Sequence, residues 1–97
     1  MEKKYPVRVG ELIEKNIRNS DPFINGMKEA VIMSSWLEIV GEEIAGYTSK
    51  LYIRDRKLYV GFSSPTVRSE FYGIRKSVLY RLNGKVGEAF IKLIIVV

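Results

Sequence analysis

The sequence predicts a small two-layer α+β domain, with helices packed on one face of a three-stranded sheet. Three observations carry the prediction. Apolar residues recur at helical spacing over 9–19, 23–46 and 65–83. They alternate with other residues in two short runs between 51 and 62, and a final apolar stretch, 90–97, has strand character. With 97 residues the chain forms one domain, and its 46% apolar and 28% charged content is that of an ordinary globular chain.

Residues 1–8 read as a short polar arm, with Pro6 blocking early helix, and 9–97 as the domain. Val9, Leu12, Ile13 and Ile17 form the first helical stripe. Ser20-Asp21-Pro22 ends it and starts the next helix, with Asp21 as N-cap and Pro22 at the first helical position. From 23 to 46 the pattern is helical without one clean stripe. Trp36, Ile39, Val40, Ile44 and Tyr47 share a face, while Met27, Ala30 and Val31 point elsewhere. Two readings stay open: a break near Ser34-Ser35, or one helix buried on two sides. Gly41 is a place for close packing, and Gly46 ends the helix.

A two-residue turn at Asp55-Arg56 pairs Arg54 with Lys57, Ile53 with Leu58, Tyr52 with Tyr59 and Leu51 with Val60. In that register Leu51, Ile53, Leu58, Val60 and Phe62 all face the helices, and a one-residue slip would destroy the arrangement. The turn lacks the glycine that a type I′ turn prefers, so a longer loop stays open as the alternative. Ser64 then caps a helix with Pro65 at its first position and a stripe of Val67, Phe71, Ile74, Val78 and Leu82. Asn83-Gly84 is expected to close it, Gly84 taking the left-handed C-cap. The last strand is apolar on both faces, which points to cover on both sides or to an interface.

The composition excludes much chemistry. The chain has no cysteine and no histidine, so thiol nucleophiles, disulfides and the usual zinc sites are absent, as is the commonest proton-transfer side chain. No cofactor is expected. Ser63 and Ser64 have no histidine partner, and neighbouring Glu42 and Glu43 diverge on a helix. An enzyme is not expected. Met1-Glu-Lys-Lys is followed by no apolar signal segment, and the sequence reads as cytoplasmic.

Sixteen Lys and Arg against eleven Asp and Glu give a net charge of +5 and a pI near 9.6, a balance that attracts polyanions. On the 65–83 helix, Arg68, Tyr72, Arg75 and Leu79 lie along one flank, with Lys76 beyond. Two arginines either side of a tyrosine can hold phosphates and stack a base. On the outer face of the hairpin, Lys50, Tyr52, Arg54, Lys57 and Tyr59 set two tyrosines among cations. Arg68, Tyr72, Arg75, Lys76, Arg54 and Lys57 are therefore the candidate nucleic-acid residues. Tyr52, Tyr59 and Ile94 are the candidates for a protein partner or a homodimer, since interfaces enrich aromatics. "GKVG", Gly84–Gly87, matches the G-x-x-G of nucleic-acid clamps. A C-cap and turn explain it better, and an RNA-binding reading ranks last.

Several marks occur together in a fixed order. They are Trp36, Val40, Gly41, Ile44, Ala45 and Thr48, then Leu58, Val60, Ser63 and Ser64, then Arg68 and Glu70, then Leu82, Asn83 and Gly87. Their order and spacing, over about 12–97, resemble the DciA family. The resemblance implies a KH-like α+β domain without the KH clamp. It also implies a role in bacterial DNA replication, with DNA and the DnaB-type replicative helicase as partners; together with the +5 charge and the Arg68, Tyr72 and Arg75 flank, the expected DNA is single-stranded or forked. Fuller members carry a flexible basic extension that this sequence does not show, so the expectation is a compact adaptor.

Overall fold

The computed structural model describes residues 21–97. The expected arm at 1–8 and helix at 9–19 lie outside the described residues. The elements are α1 (Pro22–Val40), α2 (Glu42–Gly46), β1 (Thr48–Arg54), β2 (Lys57–Phe62), α3 (Pro65–Val86) and β3 (Leu93–Val96). The sheet has the order β1-β2-β3, with β1 antiparallel and β3 parallel to the central β2.

Helix α1 starts as its sequence requires. The Asp21 carboxylate accepts from the backbone N–H of Phe23 at 2.9 Å and of Ile24 at 3.1 Å, and Pro22 opens the first turn. The break falls at Gly41 and not at Ser34-Ser35. Both serines donate to the Val31 carbonyl, at 3.0 and 2.8 Å, and stay within the helix. Gly41 has φ 91° and ψ 166°, a conformation closed to other residues, while a Cβ there would meet nothing within 4 Å. Its role is backbone freedom, which corrects the expectation of close packing. As expected, Gly46 is the last residue of the short helix that follows.

Two-sided apolar character in α1 resolves into one buried and one exposed side. Ile24, Ile32, Trp36 and Ile39 are buried, whereas Phe23, Met27, Val31 and Leu37 are exposed. Tyr47, expected on the buried face, is exposed too. Burial pivots on Phe71, fully enclosed between Trp36 (centroids 5.8 Å) and Phe62 (5.1 Å). Such tilted aromatic pairs each contribute about 0.5–1.5 kcal/mol beyond area burial. Trp36 Nε1 donates to Thr48 Oγ1 at 3.0 Å, and that hydroxyl donates to the Ile44 carbonyl at 2.8 Å. The tryptophan thereby ties α1, the end of α2 and β1 into one unit.

The hairpin has the expected register, Arg54 opposite Lys57 through Leu51 opposite Val60. Asp55 and Arg56 take φ of 53° and 62°, the positive values a type I′ turn demands. For non-glycine residues this costs about 1–2 kcal/mol each. A distant contact offsets it: Arg56 Nε donates to the Phe90 carbonyl at 2.8 Å, and its guanidinium lies 4.9 Å from the Phe90 ring centre. Leu58 and Val60 are fully buried under the helices, with Leu51, Ile53 and Phe62 packed beside them.

Ser64 Oγ accepts from Val67 N–H at 3.2 Å and begins α3. The helix passes through Asn83-Gly84 and ends at Val86, with Gly87 as the left-handed cap (φ 76°, ψ 17°). Gly87 supplies the left-handed conformation one turn later than Gly84 was expected to, and Asn83, inside the helix, uses its side chain to hold the following segment. That side chain donates to the Ile91 carbonyl at 3.0 Å and accepts from Ile91 N–H at 2.8 Å, fixing the approach to β3. Ile74, expected in the buried stripe, is 39% exposed, so Val67, Phe71, Val78 and Leu82 form the stripe alone. The final strand is also shorter than 90–97. Phe90 and Ile91 are buried before it begins.

Candidate nucleic-acid interface

Among the described residues, the cations divide into those that the fold has engaged and those that no ion pair holds. Lys28 pairs with Glu88 beneath the Phe90 ring, and burial, then the Arg56 cation, lowers its ammonium from the ordinary value. Arg56 is held by the Phe90 carbonyl, Arg81 donates to the Ile39 carbonyl at 3.3 Å, and Lys85 bonds Glu38 at 2.8 Å. Lys85 in turn holds the Glu38 carboxyl below the usual carboxylate range. These four are structural.

The second group sits on two surfaces. On α3, Arg68 and Arg75 are half-buried, while Tyr72 and Lys76 are exposed, one helical turn apart. The Arg75 guanidinium lies 5.7 Å from the Tyr72 ring centre, which pre-orients both groups. On the outer face of the sheet, Tyr52 and Tyr59 stack with centroids 4.9 Å apart and planes 7° from parallel. Arg54 and Lys57 are cross-strand neighbours in the next row. Among the described residues, no ion pair holds Arg54, Lys57, Arg68 or Lys76.

These two surfaces do not merge. The sheet separates them, since α3 covers the inner face and the tyrosine pair stands on the outer one. Their meeting point is the edge strand β3. Leu93 is opposite Lys57 in the ladder, and it also lines a groove with Arg75, Lys76, Leu79 and Ile94.

Sequence reasoning missed the third column of the outer face. Ladder pairing places Leu93 beside Lys57 and Ile95 beside Tyr59, so the row Tyr52–Tyr59–Ile95 crosses all three strands. Parallel pairing of β3 with β2 had no signal in the local pattern. Ile94, a candidate partner residue, is 2% exposed and belongs to the core. The parity of the strand turns it inward, leaving Leu93 at 42% exposure as its exposed neighbour.

The DciA family model, described as "Dna[CI] antecedent, DciA", matches residues 8–96. The chain belongs to the DciA family. This family is generally associated with loading of the DnaB-type replicative helicase. No curated protein and no solved structure matches the chain. The family marks divide by burial. Trp36, Leu58, Val60 and Leu82 are core, and Asn83 and Ser64 make backbone bonds, so most of the motif encodes the fold. Among the described residues, no helix is long and apolar enough to cross a membrane, and no three acidic, histidine or cysteine side chains group as a metal site.

Proposed function

We propose that the chain is a non-enzymatic DNA-replication accessory protein that binds single-stranded or forked DNA and engages the DnaB-type replicative helicase. The observation that carries the DNA half is the division of charge. Among the described residues, Lys28, Arg56, Arg81 and Lys85 are engaged by the fold, while no ion pair holds Arg54, Lys57, Arg68 or Lys76, which flank tyrosine rings. Phosphates answer to such cations, and bases stack on such rings irrespective of sequence. Family membership carries the helicase half, and a KH-like reading of the α-α-β-β-α-β order rests on it as well.

A mobility-shift titration with single-stranded and forked oligonucleotides tests the DNA half. Neutralising about four phosphates makes the affinity fall roughly as the third to fourth power of salt concentration. Absence of a shift even at low salt would sink that half. Co-elution with the cognate helicase tests the other, with loss expected in Arg68→Glu/Arg75→Glu.

A second reading, a homodimer through the outer face, is favoured by one observation: Tyr52, Leu93 and Val97 are all exposed there. Sedimentation separates the two, since a dimer weakened by Tyr52→Ala and indifferent to DNA would favour it. An RNA clamp lacks its geometry, because Gly84 lies inside α3 and Gly87 is its cap.

A further inference from the structure

We propose that the edge of β3, with the groove beside α3, takes an extended acidic peptide as an added strand. Three features converge there. β3 is an edge strand among the described residues: it pairs with β2, and none of the other described strands meets its outer row of N–H and C=O groups. Beside it lies a groove of about 190 Å³ with Leu79, Leu93 and Ile94 as apolar lining. Because roughly 150 Å³ accommodates a benzene ring, one side chain of leucine or phenylalanine size fits. Arg75 and Lys76 complete the lining, and they supply the charge.

The other edge of the sheet is a control within the same molecule. β1 has a register shift between Thr48 and Lys50 and carries exposed Lys50 and Arg54, devices that discourage pairing. β3 reads Leu-Ile-Ile-Val with no charge and no irregularity. A strand added there would alternate its side chains, one set over the groove and the other towards the open face of the sheet.

Charge selects the occupant. A second copy would bring another Arg75 and Lys76, and another Lys92 just before β3, to the same short seam. A single strand of nucleic acid would satisfy the cations but leave the strand edge and the apolar lining unanswered. An extended peptide with one large apolar residue between acidic ones satisfies all three features. Its site shares Arg75 and Lys76 with the proposed DNA surface, so peptide and DNA would compete. The peptide site does not depend on the DNA reading.

Fluorescence anisotropy of labelled Asp-Glu-Leu-Val-Phe-Glu-Asp against the full chain is the test. Saturable binding is expected, weakened at least about tenfold by N-methylation of alternate peptide residues, which removes only the backbone pairing. A similar loss is expected for Arg75→Glu/Lys76→Glu, while Arg68→Glu weakens DNA binding and leaves the peptide untouched. The N-methylated peptide keeps the test independent of whether a variant folds. Absence of binding overturns the proposal, and so does equal binding of methylated and unmethylated peptides. Amide NMR shifts confined to the outer tyrosine face would overturn it too. So would a β3-mediated dimer in sedimentation, or shifts on β3 caused by oligothymidylate and not by peptide.

Discussion

The two faces of the sheet are built from the same strands by opposite rules. On the inner face, Leu58, Val60 and Ile94 are buried against Phe71, Val78 and Leu82 of α3 and Ile32, Trp36 and Ile39 of α1, with no charge among them. On the outer face, Arg54, Lys57, Tyr52 and Tyr59 stand one residue along from those core positions. A period of two lets one strand serve both purposes, since every inward side chain is flanked by outward ones. The inner face therefore sets stability and the outer face is free to set binding, which makes the comparison testable by substitution.

Phe71→Ala should have the largest effect. It leaves a cavity between Trp36 and Phe62 and should cost about 3–5 kcal/mol, read as a drop in the denaturation midpoint. Gly41→Ala meets no steric neighbour, yet it forces a side chain into a backbone region reserved for glycine. A loss of about 1–3 kcal/mol is expected by urea unfolding, and a loss near zero would show that α1 and α2 can join differently. Tyr59→Ala on the outer face should cost less, on the order of 1 kcal/mol, because it removes one cross-strand stack and some burial. Arg54→Glu/Lys57→Glu should leave the unfolding midpoint nearly unchanged while reducing DNA affinity and flattening its salt dependence. If instead the midpoint falls and the affinity holds, the division between the faces is wrong.

A smaller effect concerns pH. The Glu38 carboxyl is held below the ordinary range by its hydrogen bond to Lys85. A depressed acid contributes stability at neutral pH and loses it as pH falls through the folded-state value. Lys85→Met should reduce this acid-side slope, with the weaker influence of Arg81 left in place, checked by comparing unfolding curves at neutral and acid pH. The carboxylate is exposed, so the change should be slight and vanish in high salt.

Local patterns exposed much of this molecule to a reader of the sequence. The hairpin register was legible because any slip would turn Leu58 and Val60 outward. The starts of α1 and α3 were legible because Asp21-Pro22 and Ser64-Pro65 carry their caps within three residues. The candidate cations Arg54, Lys57, Arg68 and Lys76 were legible as surface residues by the same periodicity. What was misread was where elements end and begin. The end of α3 was placed at Gly84 because glycine commonly stops a helix, whereas the helix runs on to Val86 and Gly87 is the cap. The orientation of Ile94 depended on where β3 begins, and that is fixed by the bonds between Asn83 and Ile91.

By itself, then, the sequence determined the α+β class, the N-caps of α1 and α3, the hairpin and its register, and the family, because each follows from residues close together or from fixed spacing. Tertiary structure alone decided three further matters. It bent the chain at Gly41, made the Asp55-Arg56 turn tenable by seating Arg56 on Phe90, and laid β3 parallel to β2, thirty-odd residues away. The last two require contacts between segments that no local window contains, and the first of those contacts also engages the Arg56 cation.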